Sequence, residues 1–183
     1  MHRSFYFLLL TASLAACSAF KPLDEKLVSD DEKTRSKAIQ KIDTLSTEKK
    51  AALIDRLAER MKDPESRVVN RAVEALGIIG PPAVDAMKTK LTDSDVYVRL
   101  SAAATLGQIG PLAHGAVPNL IQALQDPHPA VREEVIFALG QMGPAAAEAA
   151  PALLKAFKTS NKDEQESLAD TLKKIGVRPP RIS

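Results

Sequence analysis

Two stretches of this chain carry the same pattern of residues. From Asp93 to Pro111, and again from Asp126 to Pro144, the same residues recur at the same offsets: Val98 and Val131, Arg99 and Arg132, Leu106 and Leu139, Gly107 and Gly140, Gln108 and Gln141, Gly110 and Gly143. An earlier copy runs from Asp63 to Pro81, with Val68, Leu76, Gly77, Ile79 and Gly80 in step, and a fourth ends at Leu172 and Gly176. The closing glycines, Gly80, Gly110, Gly143 and Gly176, stand 30, 33 and 33 residues apart. A period in that range is the mark of a stacked helical solenoid.

Each copy reads as a helix with its own start and stop. Asp63, Asp93 and Asp126 stand where an N-cap carboxylate would accept from free backbone N–H groups, and Pro64 and Pro127 follow at the first helical position. Val98, Ala102, Leu106 and Ile109 step by four, four and three, which lines them along one buried stripe. Gly110-Pro111 ends the helix, since glycine suits the left-handed cap and proline cannot continue it. A second, shorter amphipathic helix follows over Val117–Gln125 and repeats 33 residues later with Pro151, Leu153, Leu154 and Phe157. Two helices per unit, antiparallel and stacked, make an all-α solenoid.

Val98-Arg99, Ala102, Leu106-Gly107 and Ile109-Gly110 resemble the HEAT repeat in its short bacterial form, shared with phycobilisome-lyase-like proteins. Val131-Arg132, Leu139-Gly140 and Gly143 fit the same pattern with Val135 in place of alanine, whereas Val69 stands where the first copy should carry arginine. The resemblance covers roughly residues 30–176 and implies a right-handed α-solenoid of about five helical hairpins. It implies that the longer helices line the concave face. It also implies a ladder in which each repeated arginine bonds a repeated aspartate, Arg132 with Asp93 or Asp126 and Arg99 with Asp63 or Asp93. For function it is unspecific, because the fold serves many partners.

The N-terminal stretch is a separate matter. Arg3 precedes an apolar run from Phe5 to Leu14, about ten residues, too short for a membrane-spanning helix but suited to a signal-peptide core. Leu14-Ala15-Ala16-Cys17 resembles a bacterial lipobox, which implies cleavage before Cys17 and acylation of its thiol and amine with palmitate-type chains. Cys17 is the one cysteine in the chain, so no disulfide claims it. Two or three acyl chains hold firmly where one does not, at about 0.8 kcal/mol per buried methylene. Ser18 implies, by the proteobacterial sorting pattern, an outer-membrane anchor facing the periplasm, with the inner membrane as the alternative. Residues 17–29 read as the lipidated cysteine and a short polar tether.

The solenoid then runs over residues 30–176. Ala38, Ile39, Ile42 and Leu45 form the first stripe, and Leu53, Ile54, Leu57, Ala58 and Met61 the next, in a polar, glycine-poor unit suited to capping the array. The last helix, about Asn161 to Ile175, puts Lys173 where earlier copies have Gly77, Gly107 and Gly140. Mid-helix glycine costs about 1 kcal/mol against alanine. Its recurrence therefore points to close approach by a neighbouring helix. The tail, residues 177–183, holds Pro179-Pro180 and reads as non-helical.

The chain offers little for catalysis. Lys plus Arg total 25 against 23 acidic residues, and losing Arg3 with the signal leaves 24 against 23, a balance that argues against nucleic acid. His114 and His128 form no His-Glu pair, so no metal site and no cofactor are expected. Of the solenoid's aromatics, Phe157 falls on the core register of Leu124, whereas Tyr97, Leu100 and Phe137 lie off the buried stripe. Those three read either as a docking patch for another protein or as packing between helices. The expectation is a membrane-anchored protein-binding scaffold or adaptor at the cell envelope, not an enzyme. The alternative is an enzyme or enzyme accessory of the phycobilin-lyase-like HEAT type, whose cytoplasmic site of action sits poorly with an export signal.

Overall fold

The computed structural model describes residues 23–182, so Cys17, Ser18 and the signal sequence lie outside the described residues. After a short helical segment at 23–27, the order is α1 (Glu32–Ile42), α2 (Thr47–Glu59), α3 (Ser66–Ile79), α4 (Val84–Lys90), α5 (Val96–Ile109), α6 (Val117–Ala123), α7 (Pro129–Met142), α8 (Ala150–Phe157) and α9 (Lys162–Lys174). Long helices α3, α5, α7 and α9 alternate with short ones, and each long helix packs on the next. The described residues form no strand.

The predicted stripe is buried: Val98, Ala102 and Leu106 are 0% exposed and Ile109 7%. Burial in α5 goes further and takes in Ser101, Ala103 and Thr105, because this helix is flanked on both sides by α3 and α7. Phe157 is core, at 3% exposed. Gly80, Gly110 and Gly143 close α3, α5 and α7 with φ of 74°, 66° and 57°, a region that L side chains rarely enter. Each then leads through a 3₁₀ segment into the following short helix.

The start signals differ from the sequence reading. The N-caps are Glu65, Asp95 and His128, and Pro129, not Pro127, begins its helix. Asp63, Asp93 and Asp126 stand two residues earlier, and each Oδ1 accepts from the backbone N–H of Glu65, Asp95 and His128 respectively. That is an Asx-turn, which folds the linker ahead of the helix rather than capping it.

The tether is shorter than expected as well. Leu27 and Asp24 are 2% and 1% exposed, with Asp24 between Arg56 at 3.4 Å and Arg60 at 3.5 Å. Arg71 donates to the Val28 carbonyl and pairs with Asp30. Residues 23–30 are therefore strapped onto α2 and α3.

Candidate functional site

The repeated arginines and aspartates form rungs between repeats: each arginine reaches an expected aspartate through that aspartate's backbone carbonyl, but the carboxylate it meets belongs to the following repeat. Arg99 donates from Nε to Asp126 Oδ2 at 2.6 Å and from Nη2 to Oδ1 at 3.0 Å, a two-pronged bond to the aspartate of the following repeat. Asp93 takes part through its backbone carbonyl, 3.0 Å from Arg99 Nη1. Arg132 repeats that contact on the Asp126 carbonyl at 3.0 Å, but its carboxylate partner is Glu164, 3.6 Å away in the last repeat. The Asp93 carboxylate faces Lys62 and Lys90. Asp63 pairs with Arg60, and Val69 at the arginine position of the first copy leaves the Asp93 carboxylate without a rung of the Arg99–Asp126 kind. Hydrogen bonding from Arg99 holds the Asp126 carboxyl below the usual carboxylate range against the opposing effect of burial.

The long helices present a second feature, an exposed face with two grooves. Tyr97 is 70% exposed and Phe137 51%, while Leu100 is half-buried. The first groove, about 640 Å³, lies between α3 and α5 and is walled by Val69, Val73, Tyr97, Leu100 and Ala104. The second, about 590 Å³, lies between α7 and α9, with Leu100 at its edge and Phe137 and Ile136 in its wall. Leu100 belongs to both, so the three apolar residues lie along one surface with Leu100 as the ridge. Lys174 sits over the Phe137 ring, 5.6 Å from its centre.

Sequence reading missed two residues here. Glu133 and Glu134 line the second groove, one turn before Phe137 on the same face of α7. They occupy the register of Leu100 and Ser101 one repeat back, so the signal was available in the repeat alignment as carboxylates at an apolar or small position. Burial, and then the neighbouring Glu133 charge, raise the Glu134 carboxyl above its ordinary value. No group of His, Cys, Asp and Glu suited to a metal occurs among the described residues, and no described helix is long and apolar enough to cross a membrane.

Comparison with known proteins agrees with the architecture. The HEAT-repeat family profile matches residues 84–173. An uncharacterised phycocyanin operon protein Z of Pseudanabaena tenuis is 36% identical over 88 residues, 44% of this chain and 44% of that protein, so the chain spans under half of its relative. Among solved structures, the complex of CpcE and CpcF of phycocyanin lyase from Nostoc sp. PCC7120 superposes with a TM-score of 0.55 at 17% identity, covering 86% of this chain and 98% of that one. A designed armadillo repeat protein in complex with a (KR)4 peptide superposes with a TM-score of 0.52 at 20% identity, covering 90% and 85%. One expectation is corrected by these findings. The sequence reading set enzymes aside, yet the sequence relative comes from a phycocyanin operon and a structural neighbour is a phycocyanin lyase complex, which point toward lyase-related proteins.

Proposed function

We propose, taking the HEAT-repeat solenoid as premise, that this chain is a lyase-related protein that holds a protein partner on its long-helix face. The observation that carries the reading is the match to the phycocyanin operon protein, supported by the shared fold of the lyase complex. The face supplies what such a role requires: exposed aromatic anchors at Tyr97 and Phe137, with Leu100 between them, over a rigid helical stack. The chain's own part is binding and orientation, since stacked repeats fix the distance between contact points. The test is co-expression with phycocyanin apo-subunits and a bilin, followed by the visible absorption of the purified material. Pigment covalently attached to an apo-subunit, and dependent on this chain, is the expected result. Colourless subunits in the presence of abundant folded chain would overturn the reading.

A second reading rests on a different observation, Leu14-Ala15-Ala16-Cys17. On it the chain is a lipoprotein scaffold or adaptor, anchored through Cys17 to the outer membrane and binding another protein on the periplasmic side. Cys17→Ser should then accumulate as an unprocessed precursor and leave the outer-membrane fraction. Mature-length protein still fractionating with that membrane would sink the anchor.

A further inference from the structure

The groove between α7 and α9 differs from its neighbour in one respect that bears on what it can hold. Three carboxylates line it, Glu133, Glu134 and Asp170, against one ammonium, Lys174. Asp170 pairs with Lys173 at 3.0 Å, and Lys174 lies over the Phe137 ring. Glu133 and Glu134 have no cation or hydrogen-bond donor among the described residues. The groove thus combines an apolar wall, Leu100, Ile136 and Phe137, with a local surplus of negative charge. The α3–α5 groove on the other side of Leu100 also holds carboxylates, Asp63 and Asp95 against Lys62, but these are engaged, by Arg60 and by the Tyr97 backbone N–H.

We propose that this face takes an extended protein segment carrying a lysine or arginine. The cation sits between Glu133, Glu134 and the Phe137 ring, and the apolar residues beside it cross Leu100 toward Tyr97. The proposal rests on the reading of the long-helix face as the partner surface, and adds the chemistry of the segment that it accepts.

Three physical points support it. An aromatic ring beside two carboxylates suits a cation with an alkyl stem, which packs its methylenes on the ring while its head meets the charges. A bound lysine or arginine would relieve the Glu133–Glu134 repulsion that, with burial, keeps the Glu134 carboxyl raised. The scale also fits: packed helices lie about 8–10 Å apart, and an extended chain advances about 3.3 Å per residue. Roughly three residues therefore pass one helix. A segment of about nine residues reaches from one groove to the other.

The test is fluorescence anisotropy with a labelled nonapeptide of lysine and leucine in alternating pairs, which presents both to one face of an extended chain, and a control with glutamate for every lysine. The full chain is titrated at low and moderate salt. Binding of the lysine peptide, none of the glutamate peptide, and weakening with salt are expected. Glu133→Gln with Glu134→Gln should lower affinity at least tenfold, and Phe137→Ala should lower it further. Glu59→Gln, on α2 away from the face, should leave it unchanged. Equal binding of both peptides, no binding of either, or full affinity in the double variant overturns the proposal. So does a concentration-dependent dimer in sedimentation that the double variant abolishes, which assigns the groove to a second copy of the chain. Peptide failure with bilin attachment intact removes only this inference. Peptide binding without bilin attachment removes only the lyase-related reading.

Discussion

Arg99 is gripped on two sides of its guanidinium, by the Asp126 carboxylate and by the Asp93 carbonyl, with its side chain 13% and that of Asp126 6% exposed. Removing one partner of so enclosed a pair strands the other, at a cost of about 3 kcal/mol. Arg99→Ala should therefore lower the melting temperature well beyond Arg132→Ala, whose contact with Glu164 is longer and wetter at 29% and 22% exposed. Thermal melts of the two variants side by side decide it, and equal losses would show that the two rungs are equivalent. The sign with pH follows from the depressed Asp126 carboxyl. Its stabilisation is fully present above the unfolded aspartate value of about 3.9 and is lost as pH falls through the lower folded value. The difference between wild type and Arg99→Ala should accordingly shrink in acid. Glu134 runs the other way. Its raised carboxyl makes the charged form costly in the fold at neutral pH, so Glu134→Gln should match or exceed wild-type stability at pH 7. Glu133, Asp170 and Lys174 are the other charged groups of that groove. That arginine and aspartate act together was implied by the resemblance to the HEAT repeat. Which carboxylate each arginine meets was not, because only the stacking geometry brings Asp126 to Arg99 and Glu164 to Arg132.

At the scale of elements, the recurrent mid-helix glycines mark where long helices come together. A Cβ added at Gly107 would lie 3.1 Å from the Ala138 Cα and 3.2 Å from its Cβ. Those atoms belong to the α7 backbone and its shortest side chain, so nothing can swing aside, and overpacking of this kind costs about 1–3 kcal/mol. At Gly77 the added Cβ meets Gln108, whose exposed amide end can rotate away but whose Cβ, 3.0 Å off, is fixed to the α5 backbone. Gly107→Ala should thus destabilise in denaturant titration. Gly77→Ala should destabilise less, because part of its contact is a side-chain end that moves and alanine favours helix by about 1 kcal/mol. The reverse order would show that the α5–α7 approach does not set the spacing. This close approach was readable from glycine persisting where helix propensity disfavours it, and Lys173 at the same register is indeed exposed. The helix starts were misread for a local reason. Aspartate two residues ahead of a helix folds an Asx-turn with the same residue type that would cap it, and only backbone angles separate the two.

As a whole molecule the chain is a line of nearest-neighbour contacts, in which α9 covers the open side of α7 and α8. Thr171 there donates to the Ile136 carbonyl at 3.0 Å inside the stack, and Leu168 and Leu172 are 0% exposed. Deleting residues 162–183 should lower the unfolding midpoint of all remaining repeats together and broaden the transition, because each repeat draws stability from its neighbours. Circular dichroism of the truncated chain checks this. An unchanged midpoint would mean that the repeats fold independently. The overall solenoid was plain from the 33-residue period, while the paired grooves were not, since they depend on how far apart adjacent helices sit at each register. The strap of residues 23–30 has a mechanical consequence. With Asp24 lodged between Arg56 and Arg60, and Asp30 against Arg67 and Arg71, the chain enters the first repeat through a bracket instead of a swivel. Any load applied upstream is delivered to α2 and α3 at once, and turning the point of attachment turns the long axis of the stack with it.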